Sequence, residues 1–134
     1  WNDGGNNNQV TQRPCIHDDD RYCAYNSVGC ESNLYLGTVA GMQVAGYQCH
    51  GFALKVAQDL YGSLKNWKYV ESYRTIHAGD VIRINSNTHT IIVTKVYSGS
   101  IQYADCNSTG DCQWGKTMSR QALRKAFTYM YTKY

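Results

Sequence analysis

Counting from Cys49, apolar residues recur at Phe52, Ala53, Val56, Ala57 and Leu60, offsets of three, four, seven, eight and eleven. That spacing is one face of an α-helix and predicts a helix over 48–62, with Gly62 as a fitting C-terminal stop. Such a stripe has to be buried against another layer. Cys49 heads the buried face in the first turn, where unpaired backbone N–H groups and the positive end of the helix dipole favour a thiolate. The same placement suits a buried structural cysteine or a half-cystine.

A reactive thiol needs a base, and the chain has four histidines. His50 adjoins Cys49, and helical neighbours do not face each other. His77 precedes the turn signal Ala78-Gly79-Asp80 and is expected to be exposed. His17 lies in a cysteine-rich, acidic segment. His89 opens the run His89-Thr90-Ile91-Ile92-Val93-Thr94-Lys95-Val96. In a strand it shares a face with Ile91 and Val93, expected to be the core-facing side, from which it can reach a helix packed on the sheet. It also reads as a polar strand-end residue.

The chain then turns at Ser98-Gly99-Ser100 into a second strand, Ile101 to Asn107. A hairpin there returns Asp105 and Asn107 beside His89, on one face, where either can orient the imidazole. Asn107 also reads as a loop cap. Further strands are expected at 80–84, 112–117 and 127–132, with Ser119 capping a helical turn through Arg124. Residues 63–79 read as a connection docked by Trp67 and Tyr69. Residues 1–14, rich in Asn and Gly, read as a flexible arm, and 15–134 as one domain whose residues 15–40 are a cystine-stapled loop region. The expected fold class is α+β, one helix packed on an antiparallel sheet.

Six cysteines in 134 residues point to an oxidising compartment. Cys106 and Cys112 flank the polar loop 107–111 and form the clearest pair, leaving Cys15, Cys23 and Cys30 without assigned partners. Cys15, His17, Cys23 and Cys30 are zinc-competent types, but their spacing fits no compact zinc pattern. Asp18-Asp19-Asp20 alternate in direction, unlike a calcium loop. No metal or cofactor is expected. A hydrophobic share of 43% with 17% charge describes a globular chain, and no apolar run approaches the length of a membrane span. The net charge of +3 is mild, and no basic stripe with interleaved aromatics argues for nucleic acid. Among the aromatics, Tyr47, Trp67 and Trp114 are candidates for substrate contact, although core packing explains such residues equally well.

The segment Gly46-Tyr47-Gln48-Cys49-His50-Gly51-Phe52-Ala53 resembles the Gln-Cys motif that opens the catalytic helix of CHAP amidase/peptidase domains, relatives of the NlpC/P60 and papain-like cysteine hydrolases. The order of Cys, a strand-opening His, then an acid and an Asn two residues apart is similar too, as is Gly79-Asp80-Val81-Ile82 as the lead-in to the first sheet strand. The resemblance covers residues 43 to 134. It implies a papain-like core, with Cys49 as nucleophile, His89 as general base, Asp105 where CHAP domains usually carry Glu, and Asn107 as the Asn that follows. Asp is one methylene shorter than Glu, which leaves open whether Asp105 or Asn107 orients His89. Gln48 is the implied oxyanion residue, with Gln43 a second candidate, and some CHAP domains bind calcium near their N-terminus. The implied activity is that of a secreted, monomeric cysteine hydrolase cutting an amide bond in peptidoglycan, in the stem peptide or at its junction with the glycan. A catalytically silent wall-binding module, and a cysteine peptidase or toxin acting on proteins, are the alternatives.

Overall fold

The computed structural model describes residues 35–106 and 112–134. The expectations for Cys15, His17, Asp18, Asp19, Asp20, Cys23, Cys30 and Asn107, and for the arm 1–14, fall outside them.

The helix α1 (Gln48–Tyr61) forms where the apolar spacing places it, and Gly62 ends it with φ 83°, its N–H donating to the Gln58 carbonyl at 2.8 Å. Phe52, Ala53, Val56 and Ala57 are all buried, so the stripe read from the sequence is the packed face.

Two strands precede α1, the first of them inside the segment expected as a loop: β1 (Tyr35–Val39) and β2 (Met42–Gly46) pair antiparallel. Their two-residue turn has Ala40 at φ 51° and Gly41 at φ 78°, the left-handed pair of a type I′ hairpin. Ala-Gly is a weak example of that signal, which is why the sequence reads as loop. Tertiary contacts hold the turn: the Ala40 and Gly41 N–H groups donate to the Leu64 and Lys65 carbonyls at 3.0 and 2.9 Å, and the Tyr35 hydroxyl donates to Gln58 on α1 at 2.9 Å.

The main sheet adds β3 (Lys68–Val70), β4 (Val81–Ile84), β5 (His89–Val96), β6 (Ser100–Cys106), β7 (Cys112–Ser119) and β8 (Phe127–Thr132), in the order β3-β8-β4-β5-β6-β7. Every neighbouring pair is antiparallel. β3 lies in the expected connection and exists only as a three-residue pairing with β8, too short to leave an alternation signal. The second helix, α2 (Arg120–Ala126), has Ser119 as its N-cap, the hydroxyl accepting from the Ala122 N–H at 2.9 Å.

Both sheet faces are covered. Ile92, Ala104 and Cys106 pack under α1 with Phe52 and Leu54, whereas Ile82, Ile91, Val93 and Ile101 pack on the opposite face with Leu123 of α2. The fold is therefore α+β, with a six-stranded antiparallel sheet and two helices. Cys106 and Cys112 form the expected disulfide. No helix among the described residues is long and apolar enough to cross a membrane.

Candidate functional site

At the start of α1 the backbone turns sharply. Tyr47 is extended, Gln48 takes φ 53°, and no side chain caps the first turn. A left-handed non-glycine residue costs about 1 kcal/mol or more. The turn also presses Gly46 against the helix: a Cβ there would lie 3.2 Å from the Gly51 nitrogen, the His50 ring and Leu54. The result is a Cys49 thiol held at the rim of the sheet, half-buried and free of any disulfide.

His89 reaches this thiol by a route different from the expected one. Its cross-strand partner is Ile84, and Asp105 stands opposite Ile91. Ile84 and Ile91 both belong to the cluster on the face away from α1, so alternation puts His89 and Asp105 on that face too. His89 meets the thiol because it is the first residue of β5, at the end of the sheet where α1 begins. There Cys49 accepts hydrogen bonds from the His89 ring and from the Thr90 backbone N–H.

The other ring nitrogen is spoken for. Nε2 lies 2.8 Å from Asp105 Oδ2, which leaves Nδ1 to face sulfur. Aspartate is thus long enough for this task. Asp105 is 1% exposed, and its carboxylate also accepts from Lys116 Nζ at 3.1 Å to each oxygen. A buried carboxylate needs such donors, since burial without them is costly. Lys116 in turn lies over the Tyr103 ring, 5.6 Å from its centroid.

The electrostatics favour a charge-separated pair. Burial alone would push the Cys49 thiol up, but the hydrogen bonds from His89 and the Thr90 N–H and the positive charges of His89 and Arg83 bring it below its ordinary value. His89 is pushed up to about 9 by its hydrogen bonds to Asp105 and Cys49, against the opposing effect of burial. Both shifts favour the thiolate–imidazolium pair over the neutral one.

A second network lies on the α1 side of β5. Arg83 Nη1 donates to Thr90 Oγ1 at 2.7 Å and lies 3.9 Å from Cys49 Sγ. Thr90 Oγ1 is 2.9 Å from His50 Nδ1. Arginine can only donate, so the threonine hydrogen is available to His50 Nδ1. Burial, then the Arg83 charge, pull His50 down to about 4, so it is neutral. Arg83 also grips the β4–β5 loop, with Nε donating to Asn87 Oδ1 at 2.7 Å and Nη2 to the Asn87 carbonyl at 2.9 Å. That loop carries three consecutive left-handed residues, Asn85, Ser86 and Asn87.

Cys49 opens onto a cleft of about 440 Å³ bordered by Tyr47, Gln48, Arg83, Asn87 and Tyr129. Tyr47 is 61% exposed there and Gln48 is exposed beside it. Gln43 sits exposed on β2 and does not line the cleft. Trp67 has no place in it: at 8% exposure it packs in the core under α1, with its ring 6.0 Å from Tyr61. Trp114 is half-buried against Phe52, centroids 5.8 Å apart, and is likewise absent from the cleft. The sequence places both near the site; in the structure Trp67 is buried and Trp114 half-buried, away from the cleft lining. His77 is only partly exposed, stacked on Tyr134 at 4.0 Å. Among the described residues, no three His, Cys, Asp or Glu side chains converge as metal ligands.

Arg83, Thr90, Lys116 and Tyr129 are the site residues the sequence did not announce. Arg83 left one trace, a charged residue inside the apolar strand Val81-Ile82-Arg83-Ile84. Comparison of the chain with protein-family models, with curated proteins and with solved structures found no match.

Proposed function

We propose that the protein is a secreted cysteine hydrolase with a papain-like, CHAP-type core that cleaves an amide bond in peptidoglycan. The observation that carries this reading is the chain Cys49–His89–Asp105, in which one ring nitrogen faces the thiol and the other is 2.8 Å from a buried carboxylate.

In the proposed reaction the Cys49 thiolate attacks the amide carbonyl, forming a carbon–sulfur bond. The oxyanion is received by the Cys49 N–H and the Gln48 side chain. His89 gives its Nδ1 proton to the nitrogen as the carbon–nitrogen bond breaks and the amine leaves. Water then adds to the acyl-enzyme, losing its proton to His89, and the carbon–sulfur bond breaks to restore thiolate and imidazolium. Asp105 keeps the ring oriented through Nε2 throughout. The open cleft, with Tyr47 and Tyr129 at its border, suits an extended substrate rather than a small enclosed one. A catalytically silent wall-binding module is the alternative; a disulfide at Cys49 would have favoured it, and the free Cys49 thiol supports the hydrolase reading.

Purified peptidoglycan incubated with the protein is expected to release soluble fragments bearing new amino groups. Cys49→Ala is expected to lose that release entirely while keeping the wild-type circular dichroism and melting temperature. Full activity in the variant would refute the reading.

A further inference from the structure

A second polar cavity lies at the other end of the sheet. Arg74, from the segment leading into β4, and Arg120 and Arg124 of α2 border a space of about 460 Å³ with Tyr73, Thr75 and Ser98. Ser98 belongs to the β5–β6 turn, whereas His89 and Asp105 stand at the opposite end of that hairpin. An eight-residue strand separates them, roughly 25 Å at strand rise, so this cavity is no extension of the cleft.

Its lining carries three guanidinium groups, three hydroxyl-bearing side chains (Tyr73, Thr75 and Ser98) and no carboxylate. Among the described residues the ion pairs involve only His77, His89, Lys116, Asp80 and Asp105. Arg74 exerts a longer-range pull on Asp80 without pairing with it. Arg120 and Arg124 are four apart on α2, hence neighbours on one helix face. Arg124 lies over the Tyr73 ring, 4.5 Å from its centroid, and Tyr73 is itself held edge-on by Phe127 at 5.6 Å. That stacking orients one guanidinium fork before any ligand arrives.

Three cations around one space repel one another, and an anion with several oxygens relieves that repulsion. A carboxylate has two oxygens and satisfies one fork. A tetrahedral phosphoryl group can meet several forks and neighbouring hydroxyls together. We propose that Arg74, Arg120 and Arg124 form a binding site for a phosphoryl anion, either free phosphate or a phosphodiester group of a polymer.

The test is calorimetric titration of the whole chain with inorganic orthophosphate, against potassium chloride at matched ionic strength. Saturable one-site binding is expected, weakened roughly tenfold or more by Arg74→Gln and by Arg124→Gln. Both variants are expected to keep the wild-type rate of Cys49 alkylation, which shows that the fold and the distant cleft are intact. Linear polyphosphate separates the two sources: affinity rising with chain length marks a polymer ligand, and equal affinity per phosphate marks the free anion. A phosphate response no larger than that of chloride, or binding of either probe that survives both substitutions, would overturn the proposal.

Discussion

Replacing Asp105 by Asn tests the electrostatic core of the site at nearly constant shape. His89 rises from 6.5 to about 9, chiefly through its hydrogen bond to Asp105 and next through that to Cys49. That rise corresponds to about 3 kcal/mol in favour of the imidazolium. A hydrogen bond to a charged partner is worth about 1.5–3 kcal/mol and a neutral one about 1. Because asparagine keeps an acceptor for Nε2–H, the loss is about 1–2 kcal/mol, which brings the ring to roughly 8. The ring then loses its proton about one pH unit earlier, so the alkaline limb, where the Cys49 thiolate loses its imidazolium partner, moves to lower pH. The assay is the rate of iodoacetamide labelling of Cys49 from pH 4 to 10, read by peptide mass mapping. At pH 6, where a ring at roughly 8 is still protonated, the rate is expected to hold, and the break in the profile that marks loss of the imidazolium is expected to move from about 9 to roughly 8. The two groups titrate as a pair, so the limb reports the pair rather than either residue. Asn leaves Lys116 without its carboxylate partner, which threatens the fold, so the double variant Asp105→Asn/Lys116→Met is measured alongside. A break that stays near 9 in both folded variants would refute the claim that Asp105 charges the dyad.

Three further outcomes are expected. Asp80 is 1% exposed and burial raises its carboxyl from 3.8 to about 6, against hydrogen bonds from Thr132 and the His77 N–H; a raised acid contributes stability below its unfolded value and loses it as pH climbs through 6. Asp80→Asn should therefore flatten the fall in melting temperature between pH 4 and 7 and gain up to about 3 kcal/mol at pH 8; an unchanged slope would show that Asp80 does not drive it. Replacing both Cys106 and Cys112 by Ser opens a loop of sequence separation 6 and should cost about 2 kcal/mol in urea unfolding. Arg83→Met removes a charge beside Sγ and the anchor of Asn87, so Cys49 labelling at pH 6 should slow while labelling at pH 9 holds.

The sequence shows α1 almost to the residue, because a buried helix on one side of a sheet imposes a strict apolar period that Phe52 to Leu60 obey. The β5–β6 hairpin is legible for a related reason: its short Ser-Gly-Ser turn makes the pairing of Asp105 with the start of β5 a matter of counting. The contacts of Trp67 and Trp114 could not be read, since a tryptophan in a core and one in a cleft look alike without the third dimension. Nor could β1 and β2, whose pairing depends on the Leu64 and Lys65 carbonyls, more than twenty residues away in sequence. Arg83 and Lys116 were hidden because strand alternation says which face a charge occupies and not which partner waits there.

The face of His89 explains why the site needs both of those cations. β5 is packed on both sides, so its opening residues present two faces to two separate polar networks. On one face lie His89, Asp105 and Lys116; on the other lie Thr90, Arg83 and His50; and Cys49 touches both through the His89 ring and the Thr90 N–H. A fourth cation beside Arg83 would leave the site with excess positive charge in a region of low dielectric, and the depressed pKa of His50 removes it. What remains is Arg83, Lys116 and the imidazolium against Asp105 and the thiolate, an arrangement one negative charge short of neutrality. When the thiolate attacks a carbonyl its negative charge passes to the oxygen, so the net positive surroundings that favour the thiolate also favour the oxyanion of the proposed acyl transfer.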